Sequence, residues 1–356
     1  MKRMDGWMVA AVCTLTGIGL LVQLRLSNTL PGGGFFAPYL IGAVSGISAM
    51  FVFSSAIFGF SCECRGLLRK CRWIVLGVAL AMLAALLVFG RRYRGGLYLP
   101  GRLNPSELVK LCMVAFAAGT LSEGRVSMRS LLELGAGYGA VALAVAAAGD
   151  FGLIAQLAAT GAAVLFAVSW LWGIASFACI AGGAAFMFAG ATGHLATRLA
   201  VWRDPLADAT GAGWQTLQGL TAVVSGGWTG VGARMGDVES VPIVASDFVY
   251  TALAEEGGLV VCIAVLSLYG IIVVRGLAAS SRLTRGGRYD GALLAVGITA
   301  SIAVQALLNV GGVLNAVPMT GIPLPLISLG GSSLTVTLVS LGILMGLAAK
   351  HEWQHR

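Results

Sequence analysis

Four short stretches set ionisable or hydrogen-bonding side chains inside otherwise apolar sequence, the placement that marks functional groups in a membrane protein. Asn104-Pro105-Ser106-Glu107-Leu108-Val109-Lys110 puts Glu107 and Lys110 three residues apart, on one helical face, where they can pair with each other or contact a substrate. Asp150, in Gly149-Asp150-Phe151-Gly152, stands in a tight break and suits the cap of the helix that follows. In Ser246-Asp247-Phe248-Val249-Tyr250, Asp247 opens an apolar run that continues through Glu255 and Glu256. If one helix carries all three, Glu255 lies about 80° round from Asp247 and about 12 Å deeper, with Glu256 on the far side. Asp247 then reads either as a general base with a raised pKa or as a helix cap. The fourth stretch, 320–333, interrupts apolar sequence with two prolines and Gly330-Gly331-Ser332-Ser333. Its amides and hydroxyls can serve a ligand or satisfy backbone freed from helix.

The elements that must carry these groups follow from composition. Of 356 residues 58% are hydrophobic and 11% charged, well under the share of a soluble domain. The 51 glycines suit close helix packing in lipid. Ten apolar stretches are long enough to cross a bilayer: 7–26, 35–59, 73–90, 105–121, 131–148, 151–168, 171–190, 248–274, 290–312 and 328–349. The expectation is an all-α polytopic membrane protein of about ten spans, forming one domain over residues 1–356. The first run is too long for a signal-peptide core and reads as a retained span. Gly- and Pro-rich stretches at 31–38 and 311–331 read as outer turns and re-entrant backbone.

Charge sets the orientation. With both ends in the cytoplasm, the inner segments 1–6, 60–72, 122–130, 169–170, 275–289 and 350–356 hold fourteen of the chain's 23 basic residues. The longest polar segment, 191–247, is then outside. So are Arg91, Arg92, Arg94 and Arg102, which crowd one short loop against the rule, and Arg198, Arg203 and Arg234. Outer arginines suit a bound phosphate, with lipid headgroups as the plainer explanation.

The seven cysteines are scattered. Cys62, Cys64 and Cys71 share a basic loop but lack the fourth ligand and the histidine of a usual zinc site. His194, His351 and His355 are isolated, and no nucleotide, hydrolase or metalloprotease motif occurs.

Thr320-Gly-Ile-Pro-Leu-Pro-Leu-Ile-Ser-Leu-Gly-Gly-Ser-Ser333 closely resembles the signature of the SEDS family (shape, elongation, division and sporulation), which includes FtsW and RodA. Four further matches fall in the same chain order. Asn104–Lys110 is similar to a P-S-E-x-x-K segment and Asp150-Phe-Gly152 to a P-D-x-G element. Asp204-Pro205, Gly213-Trp-Gln215 and Ser225-Gly-Gly227 resemble the family's outer loop. Ser246-Asp-Phe248 with Ala254-Glu-Glu256 resembles its T-D-F and A-E-E elements. The match covers roughly residues 90–349 and leans toward the FtsW group. Departures are Ala245-Ser246 for His-Thr, Gly149 for Pro, Leu329 for Tyr, and Arg91-Arg-Tyr-Arg94 for a more regular pattern.

The resemblance implies ten helices with cytoplasmic ends and a large outer loop between spans seven and eight. It implies polymerisation of lipid II, the undecaprenyl-pyrophosphate-linked disaccharide peptide, beside a class B penicillin-binding protein in the bacterial cytoplasmic membrane. Asp247 maps onto the family's essential aspartate and would deprotonate the acceptor 4-hydroxyl. Arg91, Arg92 and Lys110 would offset charge on the leaving pyrophosphate. Arg94, Glu107, Trp202, Gln215, Glu255, Ser328 and Ser332 complete the candidate substrate contacts. A divalent cation, Mg or Mn, is the one candidate cofactor; membrane lipids, and no nucleic acid, are the other expected partners. The alternatives are a flippase for the same lipid, or a weakly active scaffold for the penicillin-binding protein.

Overall fold

The computed structural model describes residues 5–30, 34–60, 66–93, 96–99, 104–190, 193–233, 235–237 and 240–349. Seven helices come first: α1 (Gly6–Thr29), α2 (Phe36–Phe60), α3 (Leu67–Phe89), α4 (Ser106–Thr120), α5 (Met128–Ala148), α6 (Phe151–Val168) and α7 (Trp170–Ala189). Two shorter helices, α8 (Gly193–Arg203) and α9 (Trp214–Gly226), lie in the segment expected as an outer loop. The chain ends on α10 (Val249–Arg285), α11 (Tyr289–Val313) and α12 (Gly331–Ala349). Each of the ten expected spans falls on a helix of its own. Among the described residues eight of these are long and apolar enough to cross a membrane, and α4, with 15 residues, is shorter. The protein is an all-α polytopic membrane protein.

Local chemistry explains the helix starts. Asp5 caps α1 by accepting from Met8 N, and Ser127 and Ser130 form a reciprocal capping box at α5. Asp150 accepts from Leu153 N at 2.9 Å, the capping role expected of it. That cap separates α5 from α6 where the apolar sequence is nearly continuous.

Packing is graded from centre to rim. About two thirds of the most apolar window of α11 is buried, against about a fifth in α3 and α5 (67% and 22%). Helices α4, α6, α10 and α12 surround α11. The lipid-type exterior is carried by residues such as Trp7, Ile41, Ile74, Val88 and Leu143, which are exposed.

Contacts sort the connecting segments into two ends. Asp5 pairs with Arg275, Arg69 with Glu123 and Arg72 with Glu133, while Gly124 abuts the ring of Tyr289. The segments assigned above to one side by their basic residues therefore meet at one end. At the other end Arg198 reaches Thr320 O, Asn315 reaches Trp202 O, and Leu329 N reaches Ala245 O.

Helix α10 is broken at Gly258, whose φ of 67° and ψ of −171° are a conformation open to glycine. The loop after α9 repairs the break. Leu259 N and Val260 N, which would have bonded to Glu255 O and Glu256 O, donate instead to Gly227 O and Trp228 O. Glu255 O and Glu256 O in turn accept from Val231 N and Gly232 N. All four groups freed by the kink thus find partners in one loop, as lipid depth requires. A methyl at Gly258 would lie 2.3 Å from Gly230 N.

Candidate functional site

The chain between α11 and α12 runs without helix over residues 314–330. A stretch of irregular backbone at the core is tolerated only if its polar groups are satisfied. Here side chains from four helices supply the donors. Asn309 bonds to Ile322 O at 2.8 Å and Gln305 to Pro323 O at 3.0 Å, both from α11. Tyr269 of α10 donates to Pro325 O, and Tyr39 of α2 to Leu326 O. Gln23 of α1 bonds to Ile327 O at 3.2 Å and to Ala245 O at 2.9 Å. Leu326 holds a φ of 66°, an uncommon state for a leucine, within this frame.

The returning end of the outer segment, 241–248, is laced to the same backbone. Ser328 Oγ donates to Ser246 O and accepts from Leu324 N, and Leu329 N donates to Ala245 O. Asn309 Nδ2 donates to Asp247 O at 2.9 Å. The Asp247 carboxylate, partly exposed, faces Gly321: a methyl at Gly321 would sit 3.6 Å from Asp247 Oδ2. Two irregular segments thus hold one carboxylate between them.

Helix α10 starts at Val249 and its N-cap position falls on Phe248. The helix-cap alternative for Asp247 therefore does not hold, nor does the helical projection from Asp247 to Glu255. Glu255 is buried, and its Oε1 accepts from Asp237 N at 2.8 Å, so it supports the outer loop. Glu256 pairs with Arg25 of α1 at 3.0 Å.

Glu107 and Lys110 pair, as their spacing predicts, at 2.6 Å. Lys110 is buried and its ammonium also donates to Gln305 Oε1 at 2.7 Å and Gln156 Oε1 at 3.3 Å. An ammonium has three donors, so Lys110 is fully engaged. Both charged residues line a small cleft with Ser301, Gln305, Thr337 and Ser340 between α4, α11 and α12. Asp150, at the head of α6, belongs to the same neighbourhood. Burial pushes its carboxyl above the ordinary 3.8, opposed by Leu153 N–H and by the charges of Lys110 and Arg198.

The remaining candidates are dispersed. Arg91 is exposed on a two-stranded hairpin, β1 (Arg91–Tyr93) with β2 (Gly96–Tyr98), where it pairs in register with Tyr98. Arg92 opposes Leu97 there, and its side chain, like all of Arg94 and Arg102, lies outside the described residues. Trp202 offers its carbonyl to Asn315, Gln215 bonds to Pro242 O at 3.3 Å, and Ser332 stands in the first turn of α12. Ser328 bonds to backbone on both sides, and Glu255 gives Oε1 to Asp237 N while its buried Oε2 has no partner among the described residues. The three donors of Lys110 are engaged by Glu107, Gln156 and Gln305. Among the described residues no three His, Cys, Asp or Glu side chains are grouped to hold a metal.

The fold recurs in known proteins. The chain matches the FtsW/RodA/SpoVE family of cell cycle proteins over residues 6–352. It belongs to that family. A relative from Halothiobacillus neapolitanus, named a probable peptidoglycan glycosyltransferase FtsW, is 31% identical over 360 residues, 96% of this chain and 86% of its own. The peptidoglycan glycosyltransferase RodA of Mycobacterium tuberculosis is 40% identical over 151 residues, 42% of this chain and 32% of its own. Among solved structures, RodA of Thermus thermophilus superposes with a TM-score of 0.69 at 21% identity, covering 97% of each chain. A chain from a peptidoglycan synthase complex reaches 0.77 at 22% identity, covering 99% of this chain and 100% of that one. These two likenesses establish the FtsW/RodA/SpoVE fold over almost the whole length.

The sequence reading passed over the amides Gln23, Gln305 and Asn309, each of which donates to the broken segment, and Gln156, which bonds to Gln305 and Lys110. Their signal was present: each is a neutral polar side chain within an apolar run, where an unsatisfied amide is costly.

Proposed function

We propose that this FtsW/RodA/SpoVE member is a peptidoglycan glycosyltransferase that polymerises lipid II at the outer face of the bacterial cytoplasmic membrane. One observation carries the reading: Asp247 is held between the returning outer segment and the broken segment 320–330, with its carboxylate facing Gly321. The names of the sequence relatives support the substrate class.

In the proposed reaction the acceptor 4-hydroxyl gives its proton to Asp247 and its oxygen bonds to the donor's anomeric carbon. The bond from that carbon to the pyrophosphate oxygen breaks, and the configuration inverts. A general base needs to be within hydrogen-bond reach of that hydroxyl, which is what the two clamped segments provide. Lys110 contributes its positive field from within the protein, and Arg91, Arg92 and Arg94 are the proposed contacts of the pyrophosphate. A class B penicillin-binding protein is the proposed partner, cross-linking the product.

A divalent cation, Mg or Mn, remains a proposed cofactor. Mg is commonly held by one or two carboxylates plus substrate phosphates; Asp247 could supply the carboxylate and lipid II the phosphates, so a three-ligand protein site is not needed. Such an ion would neutralise charge on the leaving group.

The deciding experiment is purified chain, with and without a class B penicillin-binding protein of the same organism, given labelled lipid II. Glycan strands that disappear with Asp247→Asn support the proposal. Their absence from correctly folded parent preparations with and without the partner, or their persistence in Asp247→Asn, refutes it.

A further inference from the structure

Gln305 and Asn309 lie four residues apart on α11, hence on one face of the helix, and both are almost fully buried. Gln305 Oε1 accepts from Lys110 Nζ and from Gln156 Nε2 at 3.1 Å, while its Nε2 donates to Pro323 O. One turn further along, Asn309 Nδ2 donates to Asp247 O and Ile322 O at 2.9 and 2.8 Å. An amide nitrogen carries two protons. Asn309 spends both on the two segments that enclose the Asp247 carboxylate.

We propose that Asn309 is a positioning residue for Asp247, and that Gln305 references the same helix face to the Glu107–Lys110 pair. The proposal rests on the reading of Asp247 as general base. Asp247 lies before the first residue of α10, Val249. Its carbonyl is fixed from α11, as is the carbonyl of Ile322 beside Gly321, the glycine its carboxylate faces. Without the Asn309 amide, two carbonyls at the site lose a donor and the segments are free to part. A base displaced by about 1 Å costs on the order of 100-fold in rate. Asn309 is almost fully buried and donates to main chain, so binding should survive.

The test uses the full chain with its penicillin-binding protein and labelled lipid II, comparing Asn309→Ala, Asn309→Asp and Thr299→Ala. Thr299 is buried on α11 away from the site and donates to Ala295 O, which makes it a control for packing damage. Asn309→Asp keeps the shape of the side chain, but a carboxyl carries at most one proton, so at least one of the two carbonyls loses its donor. Both Asn309 variants should lose about 10- to 100-fold in kcat, with the half-saturating lipid II concentration within about twofold of the parent. Thr299→Ala, even at an equal fall in thermal midpoint, should keep kcat within about threefold. A folded Asn309→Asp with parental kcat overturns the proposal. So does a loss no larger than that of Thr299→Ala at matched stability, or a rise in the half-saturating concentration alone. Asp247→Asn measured alongside separates the two ideas: if it is inactive while the Asn309 variants are not, only the positioning role fails.

Discussion

Lys110 on α4 donates to Gln305 on α11 at 2.7 Å, which ties a buried ion pair to the helix that also holds the Asp247 main chain. The charge on α4 and the carboxylate at the outer return are therefore parts of one bonded frame, although 137 residues of chain separate them (247 − 110).

Asp247→Asn should abolish glycan synthesis while leaving expression and partner binding near the parent's. The amide keeps the size of the side chain but accepts no proton from a hydroxyl. Gel analysis of labelled lipid II products checks it, and substantial polymer from the variant would remove Asp247 from the role of base.

Glu107 and Lys110 should couple. Removing one partner leaves a buried charge uncompensated, at a cost of about 3–5 kcal/mol, so Lys110→Met and Glu107→Gln should each lower the thermal midpoint strongly. The double variant should be no worse than the worse single one. Additive losses in a thermal-shift series would show the two sites to be independent.

Neutralising Arg91, Arg92 and Arg94 together as glutamines should raise the lipid II concentration needed for half-maximal rate. It should also weaken binding of isoprenoid pyrophosphate, with little effect on a phosphate-free saccharide, because the bidentate contact is to phosphate. Lysines at the three positions should rescue in part. Unchanged lipid II affinity would assign the cluster to membrane headgroups.

Gly258→Ala should fail to reach the parent's stability. The backbone region alone costs about 1–3 kcal/mol for a residue with a side chain, before the contact of 2.3 Å with Gly230 N is counted. Since the loop after α9 bonds to the same kink, its protease resistance should fall with the thermal midpoint. A variant as stable and as protected as the parent would refute this account of the break.

Asp150 supplies a pH dependence with a definite sign. Its folded-state carboxyl titrates above the ordinary 3.8 because of burial. The folded state therefore binds the proton more tightly than the unfolded chain, and stability falls as pH rises through the interval between the two values. Asp150→Asn, which can still cap α6, should flatten that slope. An unaltered slope in pH-dependent thermal denaturation would contradict it.

Much of this was legible in the sequence because bilayer crossing is written locally, in the length of apolar runs and the bias of basic loops. The ten helices, the pairing of Glu107 with Lys110 and the cap at Asp150 all follow from spacing of ten residues or fewer within one element, or from the length of one run. The start of α10 did not, since the turn at 241–248 is held by Ser328, Gln23 and Asn309 from elsewhere in the chain. The kink at Gly258 was hidden for the same reason: its four displaced groups are satisfied by a loop some thirty residues earlier. Glu255 was placed about 80° round from Asp247 because a helix was projected through Asp247, where the chain is still turning.

The donors to the broken segment come from Gln23, Tyr39, Tyr269, Gln305 and Asn309, with Gln23 some 304 residues from its partner Ile327 and Tyr39 some 287 from Leu326. Contacts this distant close late, because loop entropy must be overcome before they form. During synthesis the first seven helices can enter the membrane in order, but the backbone that faces Asp247 has no fixed shape until α10 and α11 return to α1 and α2. Catalytic competence is therefore a property of the finished chain. A ribosome that stalls before residue 330, or a protease that separates α1 from the rest, leaves inserted helices without a working centre. Two separately expressed halves would regain one only by meeting in the bilayer.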